Sequence, residues 1–467
     1  MPRALSVWTR LRELASSSEL VPALVRGAGA AFALQVAGFG LAYVLQVLLA
    51  RWMGAAEYGT YALVIAWVTL LAVVAGLGFP VACLRFLAEY QERQDWPLLR
   101  GTLASFWGLT LGAGGLLAAA GALLLYGWPR WLGWPLPEKL ATMVQPLTWG
   151  LWLVPLYALL SLQSEMARGL GWVGLSKGPQ QAGRPLAVLM AAWAMLAWRG
   201  ELTAGAALEA TLVAVAVVVA LQLVACISAL PPAGRSGSLR LHLGLWLRVA
   251  VPSLLGAGFV LLMNQLDVLM VGMFLAPEKV GIYNAASRTA MLISFVVYAL
   301  NVVAVPRFAP LAGQGDREPL RRLLAIVAHL GFWPTFALTL GVTLLAGPIL
   351  GAFGAQFQVA TWELRLLALS QLFTAAVGPV GYLLNMTGHH DDNAWALGGA
   401  VALNVVLNAA GIPLLGTRGA AAATAITWLV LGLVLHRLVR RRLGVGASIV
   451  SALACYGWRW PSPSARD

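Results

Sequence analysis

The chain has 467 residues, of which 60% are hydrophobic and 10% are charged, and its mean hydropathy is +0.80. Because a soluble domain carries about 25% charged residues, these values exclude an ordinary soluble protein and predict an integral membrane protein. The formal net charge is +13, but no stripe of basic and aromatic residues lies on a soluble segment, so we expect no nucleic acid as a partner.

Apolar runs long enough to cross a bilayer, about 20 residues each, follow one another along the chain. Twelve are recognised, of which the fifth is short: residues 27–50, 59–83, 102–127, 144–166, 184–198, 207–230, 249–275, 282–305, 325–350, 364–386, 394–413 and 419–436. Residues 1–26 lack the apolar core and cleavage site of a signal peptide. The predicted fold is therefore an all-α polytopic membrane protein with about 12 transmembrane helices.

The basic residues predict how the chain is oriented. Lys and Arg are enriched in cytoplasmic loops. With the amino terminus inside, 23 of the 31 Lys and Arg residues fall on cytoplasmic segments. We therefore expect both termini in the cytoplasm, and the net charge then reflects orientation and contact with lipid headgroups.

An internal repeat divides the chain into two halves. Residues 45–61, LQVLLARWMGAAEYGTY, recur as residues 266–283, LDVLMVGMFLAPEKVGIY, and the match continues from Arg85-Phe86 to Arg307-Phe308. The offset equals six helices, an even number, so both halves enter the membrane from the same side. The repeat therefore predicts two six-helix lobes related by a pseudo-two-fold axis along the membrane normal.

A Pro/Gly/Ser-rich segment separates the halves. The predicted organisation is a cytoplasmic amino-terminal segment, an N-lobe of helices 1–6, a cytoplasmic linker, a C-lobe of helices 7–12 and a basic cytoplasmic tail. Their bounds are 1–26, 27–230, 231–248, 249–436 and 437–467.

Several segments resemble the polysaccharide transporter, or oligosaccharide flippase, family of the multidrug/oligosaccharidyl-lipid/polysaccharide exporter superfamily. They are LLARWMGAAEYGTYAL (48–63), AGLGFPVACLRFLAEY (75–90), NQLDVLMVGMFLAPEKVGIYNAASR (264–288), QGDREPLRRLL (314–324) and the closing helices at 383–430. The resemblance implies a V-shaped, two-lobed flippase that works by alternating access in the bacterial inner membrane. The implied substrate is a polyprenyl-pyrophosphate repeat unit for O-antigen, capsule or exopolysaccharide.

Other functions within the superfamily stay open. A lipid II or other cell-wall precursor flippase shares the chemistry of an anionic lipid substrate. A multidrug exporter would need carboxylates in the amino-terminal cavity, whereas the first two helices contain no buried Asp or Glu. No phosphate-binding loop accompanies the three lysines, and the external loops are too short for a soluble active site. We therefore expect a transporter and no enzyme.

Two intramembrane charges, Asp267 and Arg288, lie at similar depth on either side of the hairpin between the seventh and eighth helices. Ionisable groups at such depth are costly and often functional. One interpretation is an ion pair that neutralises both charges. The other places Arg288 in the central cavity as an anchor for a pyrophosphate, which a forked guanidinium suits. Asp267 is also a candidate for coupling transport to protons or sodium, although the sequence does not identify the ion.

Further candidates come from the ends and faces of helices. Arg26 and Arg184 begin the first and fifth helices and could face the cavity mouth, whereas Arg85 and Arg307 begin cytoplasmic loops and are expected to contact headgroups. Asn404 and Asn408 share one helical face, either to bond a neighbouring helix or to recognise sugar.

Neither a metal site nor another cofactor is expected. The three cysteines have no ligand spacing, and His389-His390-Asp391-Asp392 is interpreted as a solvated turn. The expected partners are the lipid-linked glycan and membrane lipids. We expect a monomer, with the polysaccharide assembly machinery as the further partner that the resemblance admits.

Overall fold

The computed structural model describes residues 20–132, 138–313 and 316–456, and these residues form helices and turns without a β-strand. The main helices of the first half are α1 (Leu20–Ala75), α2 (Phe79–Glu92), α3 (Trp96–Leu132), α4 (Val144–Gly169), α5 (Arg184–Arg199) and α6 (Ala204–Ala229). Those of the second half are α7 (Leu243–Phe274), α8 (Pro277–Ile293), α9 (Phe295–Ala304), α10 (Glu318–Leu344), α11 (Thr361–Val377), α12 (Val380–Met386), α13 (His390–Leu415), α14 (Thr417–Leu443) and α15 (Ile449–Tyr456).

The all-α polytopic fold is confirmed, and each of the twelve predicted runs lies mostly on helical residues, although some runs, such as 59–83, cross a turn. Within the described residues, nine helices are long and apolar enough to cross a membrane. The number is up to ten if Ala355–Val377, which contains α11, and α12, which are bent by 45° against each other, count together as one span. The difference from the predicted number has physical causes. The first two runs share α1, and the fifth is α5, which has only 16 residues.

The helix α1 contains a break at Gly54. This residue has φ 76° and ψ 173°, a combination that glycine adopts readily because it lacks a Cβ. The helical segments before and after Gly54 correspond to the first two predicted spans. The second span then stops at Ala75, before a turn in which Leu77 and Gly78 both have positive φ. A separate helix, α2, follows where the sequence predicts the end of a span and a loop.

The two halves meet most closely at their repeated glycines. A Cβ on Gly59 would lie 1.7 Å from the carbonyl oxygen of Pro277, and a Cβ on Gly281 would lie 2.2 Å from that of Ala55. The contact is reciprocal, because Gly59 corresponds to Gly281 in the repeat and each glycine faces the carbonyl group four residues before the other glycine. Reciprocal contacts are the mark of a two-fold interface. We call this end of the lobes the hairpin end.

The opposite end carries the linker and is called the linker end. There the Arg100 guanidinium donates to the carbonyls of Ala233, Ser236 and Ser238. The amide of Arg240 donates to the Pro97 carbonyl at 3.0 Å. The linker is thus bound to the N-lobe along its length.

The helix α7 packs against both lobes. Trp246, near its start, is fully buried in the core of the N-lobe, where its indole nitrogen donates to the Tyr90 hydroxyl at 3.1 Å. Further along, Met263 belongs to the core of the C-lobe together with Phe308 and Leu383. Pro252 lies between these two anchor points, inside the helix.

Candidate functional site

A cavity of about 270 Å³ lies between the two lobes. The N-lobe contributes residues of α1, α4 and α5, and the C-lobe contributes residues of α7 and α8. The lining residues are Phe39, Ala42, Tyr43, Leu45, Gln46, Tyr61, Ile65, Thr69, Tyr157, Arg184, Val188, Gln265, Arg288, Met291 and Leu292. On the side of this cavity that faces the hairpin end, the two lobes are in contact at Gly59 and Gly281.

Arg288 enters the cavity from α8, seven residues after Gly281. At 1.5 Å per residue this places it roughly 10 Å from the closed hairpin end. Its Nη1 lies 3.7 Å from the Met291 sulfur, which is a weak acceptor, and its Nε is buried with no hydrogen-bond partner. No carboxylate of the described chain lies within 4 Å of it. The guanidinium therefore retains unused donors.

Arg184 enters the same cavity from the opposite lobe, at the first residue of α5. Its guanidinium carbon lies 5.5 Å from the centre of the Tyr157 ring, a cation–π arrangement. Across residues 20–132, 138–313 and 316–456 it has no ion pair. Two like charges in one cavity repel each other, so an anion placed between them would be stabilised.

Neutral polar groups complete the wall. The Tyr58 hydroxyl donates to Gln46 Oε1 at 2.8 Å and accepts from the Asn284 side-chain amide at 2.8 Å. This chain of hydrogen bonds connects the two lobes. Gln265 also faces the cavity, and its buried Oε1 has no hydrogen-bond partner. A buried acceptor without a donor costs about 1–3 kcal/mol, a cost that a sugar hydroxyl or amide group could remove.

An ion pair between Asp267 and Arg288, one of the two interpretations of these charges, does not occur among the described residues. Asp267 instead accepts hydrogen bonds from the Asn408 side-chain amide at 2.9 Å and from the Thr424 hydroxyl at 2.5 Å. Tyr283, on α8, neighbours this carboxylate. Arg288 follows Tyr283 by five residues, which turns it about 140° around the helix. Because of this rotation, the two charges lie on different sides of the C-lobe even though their predicted depths are similar.

Asn404 and Asn408 lie inside the C-lobe and do not line the cavity between the lobes. The Asn408 amide also donates to Asn404 Oδ1 at 2.9 Å, and the Asn404 amide donates to Thr427 Oγ1 at 3.4 Å. Bonding to a neighbouring helix, one of the two interpretations of these residues, is observed, since α13 is hydrogen-bonded to α7 and α14 through this group. We call Asp267, Asn404, Asn408 and Thr424 the C-lobe polar cluster.

The remaining predicted residues lie away from the cavity or outside the described side chains. Arg85 is exposed, with its guanidinium carbon 5.9 Å from the Phe86 ring centre, and Arg307 is exposed near the linker end. The side chain of Arg26 lies outside the described residues. Of the four residues interpreted as a turn, only His389 precedes α13; Asp392 lies in the first turn of that helix, where its carboxylate pairs with Arg442 at 2.8 Å.

Sequence reasoning missed Gln46 and Gln265, which line the cavity, and Tyr58 and Asn284, which connect the lobes beside it. Gln46 occupies the repeat position of Asp267, and this correspondence was the only available signal. Tyr58 and Asn284 come together only through the contact of the two lobes, which the sequence does not encode locally.

This chain is similar to known protein families, to a curated relative and to solved structures. A family model described as polysaccharide biosynthesis protein matches residues 24–312, and one described as MatE matches residues 252–410. The chain is 25% identical over 174 residues to the "probable low-salt glycan biosynthesis flippase Agl15" of Haloferax volcanii. That match spans only 37% of each protein.

Two solved structures share the fold. An inward-facing multidrug resistance MATE family transporter has a TM-score of 0.73 at 16% identity, covering 87% of this chain and 94% of its own. The lipid II flippase MurJ in an inward closed conformation has a TM-score of 0.69 at 14% identity, covering 88% and 87%. Because the first family model matches more than half of the chain, this multi-pass membrane protein belongs to the polysaccharide biosynthesis protein family.

Proposed function

We propose that the protein moves a lipid-linked oligosaccharide across the bacterial inner membrane by alternating access. The substrate class is a polyprenyl-pyrophosphate repeat unit for O-antigen, capsule or exopolysaccharide. The observation that carries the proposal is that Arg184 and Arg288 line the same cavity. Two cationic side chains from different lobes face one cavity, and neither has a carboxylate partner in the described chain.

A pyrophosphate suits this pair for electrostatic and geometric reasons. It carries charge on both phosphoryl groups, so each arginine can bind one of them. A guanidinium presents donors in a planar fork that matches phosphate oxygens, and such charge-assisted bonds are stronger than neutral ones. Exclusion of water from the site strengthens the attraction further.

The neutral wall supports recognition of the sugar next to the pyrophosphate. Gln46 and Gln265 line the cavity beside the arginines, and amide groups can donate to and accept from hydroxyl groups. Ligand pockets usually measure about 300–1,000 Å³, so the present cavity of about 270 Å³ is at the low end. It would hold the headgroup, and the lobes must separate further to admit a repeat unit.

The membrane placement is part of the proposal. We assign the linker end to the cytoplasm, with both termini on that side, because most of the basic residues lie there. The cavity would then load from the cytoplasmic leaflet and release at the hairpin end. The protein would act as a monomer alongside the polysaccharide assembly machinery.

We further propose that the C-lobe polar cluster couples transport to an ion. Asp267 offers a carboxylate beside the hydroxyl of Thr424 and the amides of Asn404 and Asn408. Oxygen ligands of this kind suit either a proton on the carboxylate or a sodium ion among the oxygens. Tyr283 neighbours Asp267 from α8, so a change of charge there would reach the helix that carries Arg288.

A cell-wall precursor flippase is the second candidate. It would use the same anion chemistry, and the fold likeness to the lipid II flippase favours it. A multidrug exporter of cationic compounds fits less well, since two uncompensated arginines would repel a cationic substrate.

A reconstituted flipping assay tests the proposal. Vesicles would receive polyprenyl-pyrophosphate disaccharide, the same disaccharide on polyprenyl monophosphate, lipid II or a cationic dye. We expect the pyrophosphate disaccharide to move at least about tenfold faster than the monophosphate, since one lost charge-assisted contact is worth about 1.5–3 kcal/mol. Faster flipping of lipid II would favour the second candidate. Export of the dye, or equal rates for both phosphate forms, would overturn the proposal.

A further inference from the structure

A second cavity, of about 300 Å³, lies at the hairpin end of the C-lobe. It is formed by α8, α11 and the turn between α13 and α14, where Gly416 adopts a positive φ of 62°. Its polar lining consists of Lys279, Glu363, Thr417 and Arg418. None of these residues contributes to the cavity between the lobes.

The carboxylate of Glu363 is buried beside this cavity. The residue is 4% exposed, and its Oε1 accepts a hydrogen bond from the Thr417 hydroxyl at 2.6 Å. Its Oε2 is buried and has no hydrogen-bond partner. A buried carboxylate oxygen without a donor is costly, so the site has an unused position for a cationic hydrogen-bond donor.

Two basic residues line the same cavity but leave that position empty. Lys279 and Arg418 are exposed, and within the described ranges neither forms an ion pair with Glu363 or any other carboxylate. The cavity therefore has a buried negative group and two accessible positive groups that do not neutralise it. This separation of charge suits a ligand that carries both signs.

The surroundings of the cavity are apolar and open. Leu414 is 81% exposed, Leu415 63%, Val359 60% and Trp362 55%. A patch of this kind on a membrane protein is covered by lipid chains, and a Trp at the end of a span is typical of the interface with headgroups. The ligand is thus expected to have an acyl region attached to its charged part.

We propose that this cavity binds the headgroup of a zwitterionic phospholipid with a primary amine, of the phosphatidylethanolamine type. The ammonium donates to Glu363 Oε2, and the phosphate lies against Lys279 and Arg418. The acyl chains cover the apolar rim. The choice of headgroup follows from the donor that Glu363 lacks, because a trimethylammonium has no N–H and a glycerol headgroup has no positive charge.

Binding of defined lipids to the delipidated full-length protein tests the proposal. Native mass spectrometry would compare phosphatidylethanolamine, phosphatidylcholine and phosphatidylglycerol with identical acyl chains. We expect the wild type to bind phosphatidylethanolamine at least tenfold more tightly than phosphatidylcholine. Glu363→Gln should abolish this preference, while its side-chain oxygen can still accept from Thr417. The double variant Lys279→Ala/Arg418→Ala should weaken the binding of phosphatidylethanolamine by a similar factor.

Glu278→Gln is the matched control, because Glu278 is exposed, lies next to Lys279 and does not line the cavity. It should keep the wild-type lipid preference. Equal binding of the three lipids by the wild type would overturn the proposal, as would a Glu363→Gln variant that still selects phosphatidylethanolamine. The assay contains no glycan, so its result is independent of the flipping proposal.

Discussion

Whether two intramembrane charges neutralise each other depends on the helix faces that carry them as much as on their depth. Asp267 and Arg288 lie at similar depth on neighbouring helices, yet the carboxylate is satisfied by Asn408 and Thr424 inside the C-lobe. Arg288 is left to the cavity with an unpartnered Nε. The absence of an internal partner makes Arg288 available for an external anion.

Replacement of Arg288 by Ala should reduce pyrophosphate-linked flipping by at least about 100-fold, since truncating a buried charged contact costs about 3 kcal/mol or more. Arg288→Lys keeps the charge but loses the fork, so an intermediate rate is expected. The measurement is the initial flipping rate in vesicles, normalised to folded, inserted protein.

Arg199→Ala is the control for this series. It removes the same charge from a residue that pairs with Glu209 away from the cavity, and it should flip substrate at nearly the wild-type rate. Wild-type flipping by Arg288→Ala would show that Arg288 does not bind the substrate.

Replacement of Asp267 by Asn should uncouple transport without unfolding the protein. The new side-chain oxygen can still accept from Thr424, and its amide can donate to Asn408 Oδ1, which is buried and unpartnered. We expect flipping in the variant to stop responding to an imposed proton or sodium gradient. The ion to which the wild type responds identifies the coupling ion.

Glu278→Gln, which alters an exposed carboxylate, should retain the response to the gradient. A response that persists in Asp267→Asn would contradict a coupling role for the cluster, whereas loss of all flipping even without a gradient would assign Asp267 to the translocation step itself.

At the scale of single helices, the reciprocal glycine contact at the hairpin end yields a sharp prediction. Gly59→Ala would place a methyl group 1.7 Å from the Pro277 carbonyl oxygen, and the helix backbone cannot move aside without separating the lobes. Overpacking of this kind typically costs 1–3 kcal/mol. We expect a lower melting temperature and a population shifted away from the conformation that is closed at the hairpin end.

Gly115→Ala provides the comparison, because a Cβ there would meet nothing within 4 Å. It lies inside α3, where Ala is the better helix former, so stability should be unchanged or slightly raised. A melting temperature of Gly59→Ala equal to that of Gly115→Ala would show that the close approach of Gly59 to Pro277 does not limit stability.

The sequence predicted where helices occur better than where they break. The apolar runs located the long helices of the described residues, because a segment that crosses lipid must satisfy its own backbone groups and therefore forms a helix. The positive-φ turn at Leu77 and Gly78 was missed, although a Cβ on Gly78 would lie 1.9 Å from the Ala250 carbonyl oxygen. That glycine is required by a contact with α7, and such a distant contact leaves no periodic signal in the local sequence.

At the scale of the whole molecule, the repeat correctly indicated two lobes, whereas the substrate-binding role of Arg184 and Arg288, which line one cavity, stays a prediction. Their convergence could not be derived from the sequence, because they come from different lobes and meet only through lobe packing. The residues that bridge the lobes, Tyr58 and Asn284, were missed for the same reason.

Alternating access by rocking of the lobes predicts opposite distance changes at the two ends of the molecule. Spin labels at the exposed positions Ala56 and Glu278 report on the hairpin end, and labels at Gln94 and Asp316 report on the linker end. Under turnover conditions, we expect the first distance to lengthen as the second shortens. Changes in the same direction at both ends would contradict a rocking motion, and an unlabelled cysteine-free protein controls for background.

The anchoring of α7 in both lobes has a mechanical consequence. Arg100 holds the linker to the N-lobe, and Trp246 is fully buried there, so no slack chain separates the lobes. Any rotation of one lobe against the other must then be absorbed within α7 itself, between Trp246 and Met263. Pro252 lies in this interval and cannot donate a backbone hydrogen bond to the preceding turn, which lowers the bending stiffness of the helix. The helix would bend elastically, and its bending stiffness would help to set the difference in free energy between the two access states.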